Sequence, residues 1–311
     1  MQSLAQSIAR LRIGTRGSPL ALVQARAVRA RLAAALGAKD DDIELVVIKT
    51  SGDTIQDRPL AEEGGKGLFT KEIEEALLAG RVDLAVHSAK DMPTFSRPGL
   101  MLAACLERED PRDVFISRKA KSLAELPRAA TLGTASLRRQ AIAKRLRPDL
   151  CVTPLRGNVE TRLRKLDQGQ VDATLLALAG LKRLGLAQHA TRIMDAAEFL
   201  PAVGQGAIGI EAREGDARVR ELLARIDHPD TSAAIACERA FLGALDGSCK
   251  TPIAGHAVVS ADTVEFRGLI ARPDGGAAHD IAGHGSRKDA IAIGADAGRE
   301  LRHRAGPGFF D

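Results

Sequence analysis

Short apolar segments alternate with longer segments of mixed polarity along the chain up to about residue 180. The apolar segments are only a few residues long and are bounded by turn-forming residues, which is typical of buried strands. The longer segments contain few helix breakers and carry apolar residues at helical spacing. This alternation predicts an α/β protein. The predicted strands cover residues 11–13, 43–49, 84–86, 101–106, 114–116, 131–133, 150–153 and 173–177.

The first long helix is predicted to begin at Ser18 and Pro19 and to run to Leu36. Serine is a favoured N-cap, and proline is favoured at the first helical position. We expect one apolar face of this helix to pack inward. That face is formed by Leu20, Val23, Ala27, Ala30 and Ala34. Further helices are predicted over residues 68–79, from Ser136, and over 159–168.

Two short segments recur along the chain in the same order. The strand end that leads into Ser18 resembles the one that leads into Ser136, and residues 80–83 resemble residues 169–172. The repetition predicts two similar lobes that face a cleft, with strand ends and helix N-termini directed at one ligand. The glycine-rich segment 201–211 is interpreted as a hinge that returns to the first lobe. After it, a helix over 232–245, strands near 254–259 and 264–270, and a helix over 288–302 predict a small α+β domain. The predicted domains are residues 1–106 with 207–224, residues 107–206, and residues 225–311.

The net charge of +5 is compatible with nucleic acid, an anionic membrane or small polyanions as partners. The chain contains no Trp and no Tyr, so it lacks the aromatic platforms on which single-stranded nucleic acid stacks. No uncharged apolar segment is long enough to cross a membrane. Small polyanions are therefore the favoured ligands, and we expect the chain to bind neither nucleic acid nor membrane.

The four cysteines show neither CxxC pairing nor metal-ligand spacing, so we expect reduced thiols and no metal site. The first residues lack the pattern of a secretory signal, which favours a cytoplasmic location. Cys105 and Cys237 occupy apolar patterns typical of a core. Cys249 differs, because it lies among turn residues beside Lys250, where a nearby cation favours the thiolate.

Residues that carry chemistry follow directly after the predicted strand at 84–86. They are His87, Ser88, Lys90 and Asp91, and Pro93 prevents a simple continuation of the strand. In open α/β sheets, ligands bind beyond the carboxyl ends of the strands, so this cluster predicts a functional site. The alternative is a solvated loop at a strand end.

Arginines lie at several predicted helix starts, where free backbone N–H groups already favour anions. Arg16 precedes the first helix, Arg138 and Arg139 open another, and Arg156 and Arg162 flank the start of a third. A guanidinium group matches a carboxylate in bidentate geometry. Each position could be an ordinary surface arginine, but their recurrence in both lobes favours a ligand with several carboxylates.

A series of segments carries a more specific similarity over nearly the whole chain. They are residues 15–21 (TRGSPLA), 64–69 (GGKGLF), 85–91 (AVHSAKD), 107–113 (EREDPRD), 136–140 (SLRRQ), 155–159 (LRGNV), 179–185 (AGLKRLG), 201–207 (PAVGQGA) and the loop around Cys249. Taken together, these segments resemble the porphobilinogen deaminase, or hydroxymethylbilane synthase, family.

The resemblance implies a transferase of tetrapyrrole (porphyrin and heme) biosynthesis, with two periplasmic-binding-protein-like lobes and a small C-terminal domain. Such an enzyme removes ammonia from four porphobilinogen molecules and joins them head to tail into hydroxymethylbilane. The resemblance also implies a monomer and a dipyrromethane cofactor that serves as primer, attached through a thioether to Cys249. The catalytic carboxylate maps to Asp91.

The same resemblance assigns the residues that would hold each group. The cofactor would be held by Cys249, Ser88, Lys90, Asp91, Thr134, Ser136, Arg138 and Arg139. The substrate or the growing chain would be held by Arg16, Ser18, Lys66, Phe69, Arg156, Arg162, Arg183 and Gln205. Three positions depart from the family's usual pattern without removing a catalytic group, namely Glu62, Ala135 and Ser248.

The chemistry of the residues agrees with this assignment. Each substrate ring bears an acetate and a propionate, which explains arginines at helix starts, and a carboxylate at residue 91 can stabilise a positively charged pyrrole. The main alternative is a non-catalytic two-lobed binding protein for small polycarboxylates. An added domain with a loop thiol and the lack of a secretory pattern favour the enzyme.

Overall fold

The computed structural model of the protein describes residues 11–54, 67–247 and 251–309. The chain forms two compact units. Unit 1 contains the residues up to Arg108 and then Ala207–Ser232, whereas unit 2 contains Glu109–Gly206 and the residues from Ala233 onward. The chain therefore returns to unit 1 within the glycine-rich segment 201–211.

The described residues form short strands and helices in alternation. The strands are β1 (Leu11–Thr15), β2 (Ile43–Val47), β3 (Leu84–Ser88), β4 (Leu100–Cys105), β5 (Asp113–Ser117), β6 (Thr131–Gly133), β7 (Cys151–Thr153), β8 (Ala173–Ala177), β9 (Arg192–Ile193), β10 (Ile208–Arg213), β11 (Ile253–Ser260), β12 (Thr263–Ala271) and β13 (Ala278–Ser286). The α-helices are α1 (Pro19–Leu36), α2 (Ser51–Thr54), α3 (Lys71–Leu78), α4 (Leu137–Leu146), α5 (Val159–Asp167), α6 (Leu178–Arg183), α7 (Ala217–Ala224), α8 (Pro229–Ala244) and α9 (Ala290–Ala305).

Unit 1 is built on a five-stranded sheet in the order β2-β1-β3-β10-β4. β1 runs parallel to β2 and β3, whereas β10 runs antiparallel to β3 and β4. Side chains alternate between the two faces of each strand. Leu84 and Val86 therefore pack with α1 and α7, and Ala85 packs on the other side with Ile73 and Leu77 of α3.

Unit 2 contains a second five-stranded sheet in the order β7-β6-β8-β5-β9. β6 runs parallel to β7 and β8, and β5 runs antiparallel to β8 and β9. With β5 in the place of β10, the strand order and directions are the same as in unit 1. The predicted pair of similar lobes is confirmed.

Two aspartates at equivalent positions explain the sequence repeat. Asp83, just before β3, accepts a hydrogen bond from the backbone N–H of Arg12 at 2.8 Å. Asp172, just before β8, accepts one from the backbone N–H of Thr131 at 2.7 Å. In each unit the aspartate fixes the start of the neighbouring parallel strand, so the repeated residues perform the same structural task.

A third, antiparallel sheet of β11, β12 and β13 packs with α9 and the later part of α8. Its core includes Phe241 and Phe266, whose ring centroids are 4.9 Å apart. The fold class is therefore confirmed as two α/β lobes with a small α+β part. Its separation as a third domain stays a prediction. No helix in the described ranges is long and apolar enough to cross a membrane.

The prediction of which face of α1 packs inward is wrong. Ala30 and Ala34 are exposed, and Leu20, Val23 and Ala27 are only half-buried. The helix is rich in alanine nearly all round, so apolar spacing alone does not select the face that packs on the sheet. The side chains that are buried are Gln24, Ala25, Val28, Leu32 and Ala33.

Other elements also differ from the prediction. The helix expected from residue 68 begins at Lys71, after a turn. β13 was not predicted, because its histidines and glycines break the apolar alternation of a half-buried strand.

Close packing of α8 and α9 gives a prediction about stability. A Cβ atom at Gly294 would overlap the backbone carbonyl of Cys237, so Gly294→Ala forces the helices apart. We expect a loss of about 1–3 kcal/mol in the free energy of unfolding, as for other overpacked cores. Gly215→Ala is the control, because its Cβ would meet nothing within 4 Å. Urea unfolding followed by circular dichroism measures both, and equal midpoints would contradict the prediction.

Candidate functional site

The turn after β3 brings the predicted catalytic carboxylate to the surface. Residues Ala89–Asp91 form a single turn of 3₁₀ helix, in which the Met92 N–H donates to the Ala89 carbonyl at 3.3 Å. β3 is almost wholly buried, whereas Asp91 is exposed. Its carboxylate makes no hydrogen bond or ion pair with any described residue. Both oxygens are therefore available to a ligand that donates N–H or carries positive charge.

The Arg16 side chain is positioned by an aromatic ring. Its guanidinium carbon lies 4.1 Å from the centroid of Phe69, within the range of a cation–π interaction. Gly52 lies against the edge of the same ring, where a Cβ atom would overlap it. The Gly52 N–H also donates to the Leu68 carbonyl at 2.8 Å. The position of Phe69 beside Arg16 therefore requires glycine at residue 52.

The start of α1 contributes two further polar side chains. The Ser18 hydroxyl accepts from the Ala21 N–H at 3.3 Å, which confirms the predicted N-cap. The buried Gln24 amide donates to the Ser88 hydroxyl at 2.8 Å, and so ties α1 to the end of β3. These groups surround one pocket in unit 1. The pocket is lined by Arg16, Ser18, Leu20, Ala21, Gln24, Phe69, Thr70, Val86, His87, Ser88 and Asp91.

In unit 2, Arg138 and Arg139 are both paired with the fully buried carboxylate of Asp113. Arg138 Nη2 lies 2.8 Å from Asp113 Oδ2, and Arg139 Nη2 donates to Asp113 Oδ1 at 2.8 Å. Burial alone would raise the pKa of Asp113, but the two guanidinium groups outweigh it and hold the pKa below its ordinary value. The predicted cofactor-binding arginines therefore also form a structural ion cluster.

Gln205 and Arg183 lie near the segment that returns the chain to unit 1. The buried Gln205 amide donates to the Pro111 carbonyl at 2.7 Å and to Asp113 Oδ1 at 3.1 Å. Arg183 Nη2 donates to the Gly206 carbonyl at 2.7 Å, and burial lowers the pKa of Arg183. Both side chains hold the backbone of unit 2, and their contact with substrate stays a prediction.

Helices α4 and α5 begin with the predicted polar residues. The Ser136 hydroxyl accepts from the Arg139 N–H at 3.4 Å, and the Thr134 hydroxyl accepts from the Ser136 N–H at 3.1 Å. Before α5, Arg162 Nε donates to the Gly157 carbonyl at 2.8 Å. Arg156 is half-buried at the same turn. The ligand contacts expected of these four residues stay predictions.

Two predicted site residues, Lys66 and Cys249, lie outside the described residues. Lys90 lies half-buried in the same turn as Asp91. Among the described cysteines, Cys151 is exposed, whereas Cys105 and Cys237 are buried as predicted. Burial raises the pKa of the Cys237 thiol to about 12, and the Glu238 carboxylate adds to the effect. Cys237 is therefore unsuited to be a nucleophile.

Sequence reasoning did not single out three residues that organise the site, namely Gln24, Gly52 and Asp113. Gln24 and Gly52 act through contacts with residues distant in sequence, and no local pattern marks them. Asp113 is likewise held by distant partners, with Arg139 26 positions away and Gln205 92 positions away, so no local pattern marks it.

The ion cluster of Asp113 gives a prediction about stability and pH. Asp113→Asn leaves two buried guanidinium groups without a carboxylate, which costs about 3–5 kcal/mol. Since the folded-state pKa of Asp113 is lowered, its contribution is complete above the unfolded-state value of about 3.9 and is lost as the pH falls through the folded-state value. Urea unfolding at pH 7 and pH 3 measures the effect. The loss in the free energy of unfolding of Asp113→Asn relative to wild type is expected to be smaller at pH 3 than at pH 7.

The matched control for this prediction is Asp167→Asn. Asp167 pairs with Arg118 at 2.9 Å, but both side chains are about half exposed, so its loss is expected to cost less than about 1 kcal/mol. Equal losses in the two variants would contradict the structural role of Asp113.

Comparisons with known proteins agree with the features described above. A family model described as "Porphobilinogen deaminase, dipyromethane cofactor binding domain" matches residues 11–221, and "Porphobilinogen deaminase, C-terminal domain" matches residues 232–303. Among solved structures, the methionine binding protein MetQ is 16% identical, with 70% of this chain and 89% of that chain covered and a TM-score of 0.45.

Two curated relatives extend the similarity over the full chain. A porphobilinogen deaminase of Nitrobacter winogradskyi is 60% identical over 310 residues, which is 100% of this chain and 98% of the relative. A porphobilinogen deaminase of Nitrobacter hamburgensis is 59% identical over 310 residues, which again covers 100% of this chain and 98% of the relative. The chain belongs to the porphobilinogen deaminase family.

Proposed function

We propose that this chain is a hydroxymethylbilane synthase, a transferase that removes ammonia from four porphobilinogen molecules and joins them head to tail. The observation that carries the proposal is the Asp91 carboxylate, which is exposed and has no partner among the described residues. It lines the same pocket as Arg16, Ser18 and Phe69. Membership of the family supports the reaction, and the pocket supplies the groups that the reaction requires.

Asp91 acts on the charge that develops during deamination. When ammonia leaves the aminomethyl group, positive charge spreads over the pyrrole ring and its N–H. A carboxylate beside that N–H stabilises the charge, and it can also take and return a proton during coupling. The rigid end of β3 and the short 3₁₀ turn fix the position of this carboxylate.

Arg16 binds a carboxylate of the substrate. Stacking on Phe69 restricts the guanidinium to one region of the pocket before the substrate arrives, which reduces the entropy lost on binding. The N-terminal N–H groups of α1 lie in the same wall and also favour an anion. The acetate and propionate of porphobilinogen match these groups.

The described part of the cofactor site fits a group with several carboxylates. Arg138 Nε is buried and has no hydrogen-bond partner among the described residues, so one donor is left for an additional acceptor. Ser136, Thr134 and Arg139 lie at the same helix start. A dipyrromethane held through Cys249 would supply the pyrrole carbon at which the first coupling takes place.

Partner and location are part of the same proposal. The substrate is the small molecule porphobilinogen, and we expect a cytoplasmic monomer that binds neither nucleic acid nor membrane. The lack of aromatic stacking platforms and the unpaired cysteine pattern support this. A non-catalytic binding protein is not favoured, because the family model that matches most of the chain describes a cofactor-binding domain.

Intact mass spectrometry tests the covalent primer. The purified wild-type protein is expected to exceed the mass of the chain by two linked pyrrole units, and Cys249→Ser is expected to lack this excess. Cys151→Ser is the control, because Cys151 is an exposed cysteine with no assigned role. A folded wild-type protein with no added mass would refute the primer and support the binding-protein alternative.

Substitution of Asp91 tests the catalytic assignment. Asp91→Asn keeps the shape but removes the charge, so turnover of porphobilinogen is expected to fall by at least about 10²-fold. Asp91→Glu keeps the charge but displaces it by about 1 Å, which still costs about 10²-fold while leaving measurable activity. Because Asp91 is exposed, the thermal midpoints should be unchanged. Wild-type turnover in Asp91→Asn would refute the assigned role.

A further inference from the structure

A buried pair of ionisable side chains lies at the pocket of unit 1, and the reaction described above does not use it. His87 Nε2 is 3.6 Å from Glu211 Oε2, and the two side chains are only 3% and 1% exposed. Neither atom has a hydrogen-bond partner among the described residues. Buried polar atoms without partners are rare and costly in folded proteins, so the pair requires an explanation.

The register of the sheet fixes the position of both side chains. In the antiparallel pair of β10 and β3, Gly209 lies opposite His87, and Glu211 lies opposite Ala85. Because side chains alternate along a strand, Ala85, His87 and Glu211 share one face. Ala85 packs with Ile73 of α3, so that helix covers this face. The pair is held by two central strands rather than by a loop.

We propose that Glu211 orients the His87 ring with its proton on Nε2, so that Nδ1 accepts an N–H from an ammonium group in the pocket. A carboxylate next to one ring nitrogen favours the proton on that nitrogen and leaves the other nitrogen as an acceptor. The ring lines the pocket together with Ser88 and Asp91. Since Nε2 faces Glu211, Nδ1 is the nitrogen that remains for a ligand.

The charge of Glu211 indicates which class of ligand fits this part of the pocket. The buried Glu211 carboxylate contacts no described Lys or Arg, and the neutral His87 ring does not compensate its charge, so a cationic donor matches this wall better than a neutral N–H does. Under the proposed function, on which this step rests, that donor is the protonated aminomethyl group of porphobilinogen, whose nitrogen leaves as ammonia. Glu211 is then a positioning residue, because it acts through His87.

Two substitutions of His87 separate a ligand contact from a structural one. The amide of His87→Gln reaches the position of Nε2 and keeps a polar contact with Glu211, whereas the amide of His87→Asn reaches the position of Nδ1. We expect kcat/KM for porphobilinogen to fall about 10- to 100-fold in His87→Gln and less in His87→Asn. The thermal midpoint is expected to fall more in His87→Asn than in His87→Gln, because only the Gln amide keeps a polar contact with Glu211. His284→Gln, at an exposed position on β13, is the control.

A measurement without turnover tests the orientation and the ligand. In ¹⁵N NMR of the full chain, assigned by comparison with His87→Gln, we expect a single Nε2–H tautomer for His87 that is lost in Glu211→Met. Ammonium chloride should shift the Nδ1 resonance more than potassium chloride at equal ionic strength. An Nδ1–H tautomer, equal shifts with the two salts, or wild-type kcat/KM in His87→Gln would overturn the inference. Absence of bilane formation by the wild type would instead overturn the proposed function, while the tautomer result would stand.

Discussion

The buried carboxylate of Asp113 is the interaction on which the organisation of unit 2 depends. It joins the first strand of the unit to the start of α4 through Arg138 and Arg139, and it joins both to the returning segment through Gln205. A buried aspartate with only one of these partners would leave charge uncompensated in the interior. The arginines assigned to the cofactor are therefore held in fixed positions before any ligand binds, and little reorganisation is needed when a carboxylate arrives.

Asp91 is also an aspartate, but its environment is the opposite of that of Asp113. Its carboxylate is exposed and has no partner among the described residues, and the groups that fix it are backbone groups of β3 and the turn that follows. In water such a carboxylate costs the folded state little, because solvent satisfies it. Its interaction energy is gained only when a ligand replaces that solvent. Environment, not residue type, separates the structural aspartate from the one that we propose to be catalytic.

This contrast explains how much of the site could be predicted. The strand that ends at Ser88 and the N-caps Ser18 and Ser136 depend on neighbouring residues, and the sequence locates them correctly. The Asp113 cluster depends on partners 26 and 92 positions away, so no local pattern identifies it. The inner face of α1 was missed for a related reason, since the sheet end at Ser88, and not apolar spacing, selects Gln24 for burial.

The two sheets also show which segments differ between the two units. Their strand order and directions are the same, and even the aspartates that fix the strand starts correspond. The residues that follow equivalent strands differ, because β3 leads to the acid Asp91 and β8 leads through α6 to the bases Lys182 and Arg183. A repeated scaffold is therefore followed by Lys90 and the acid Asp91 after one strand, and by two cations after the other. We expect the function to depend on these short segments after the strands, and the sheets hold them in place.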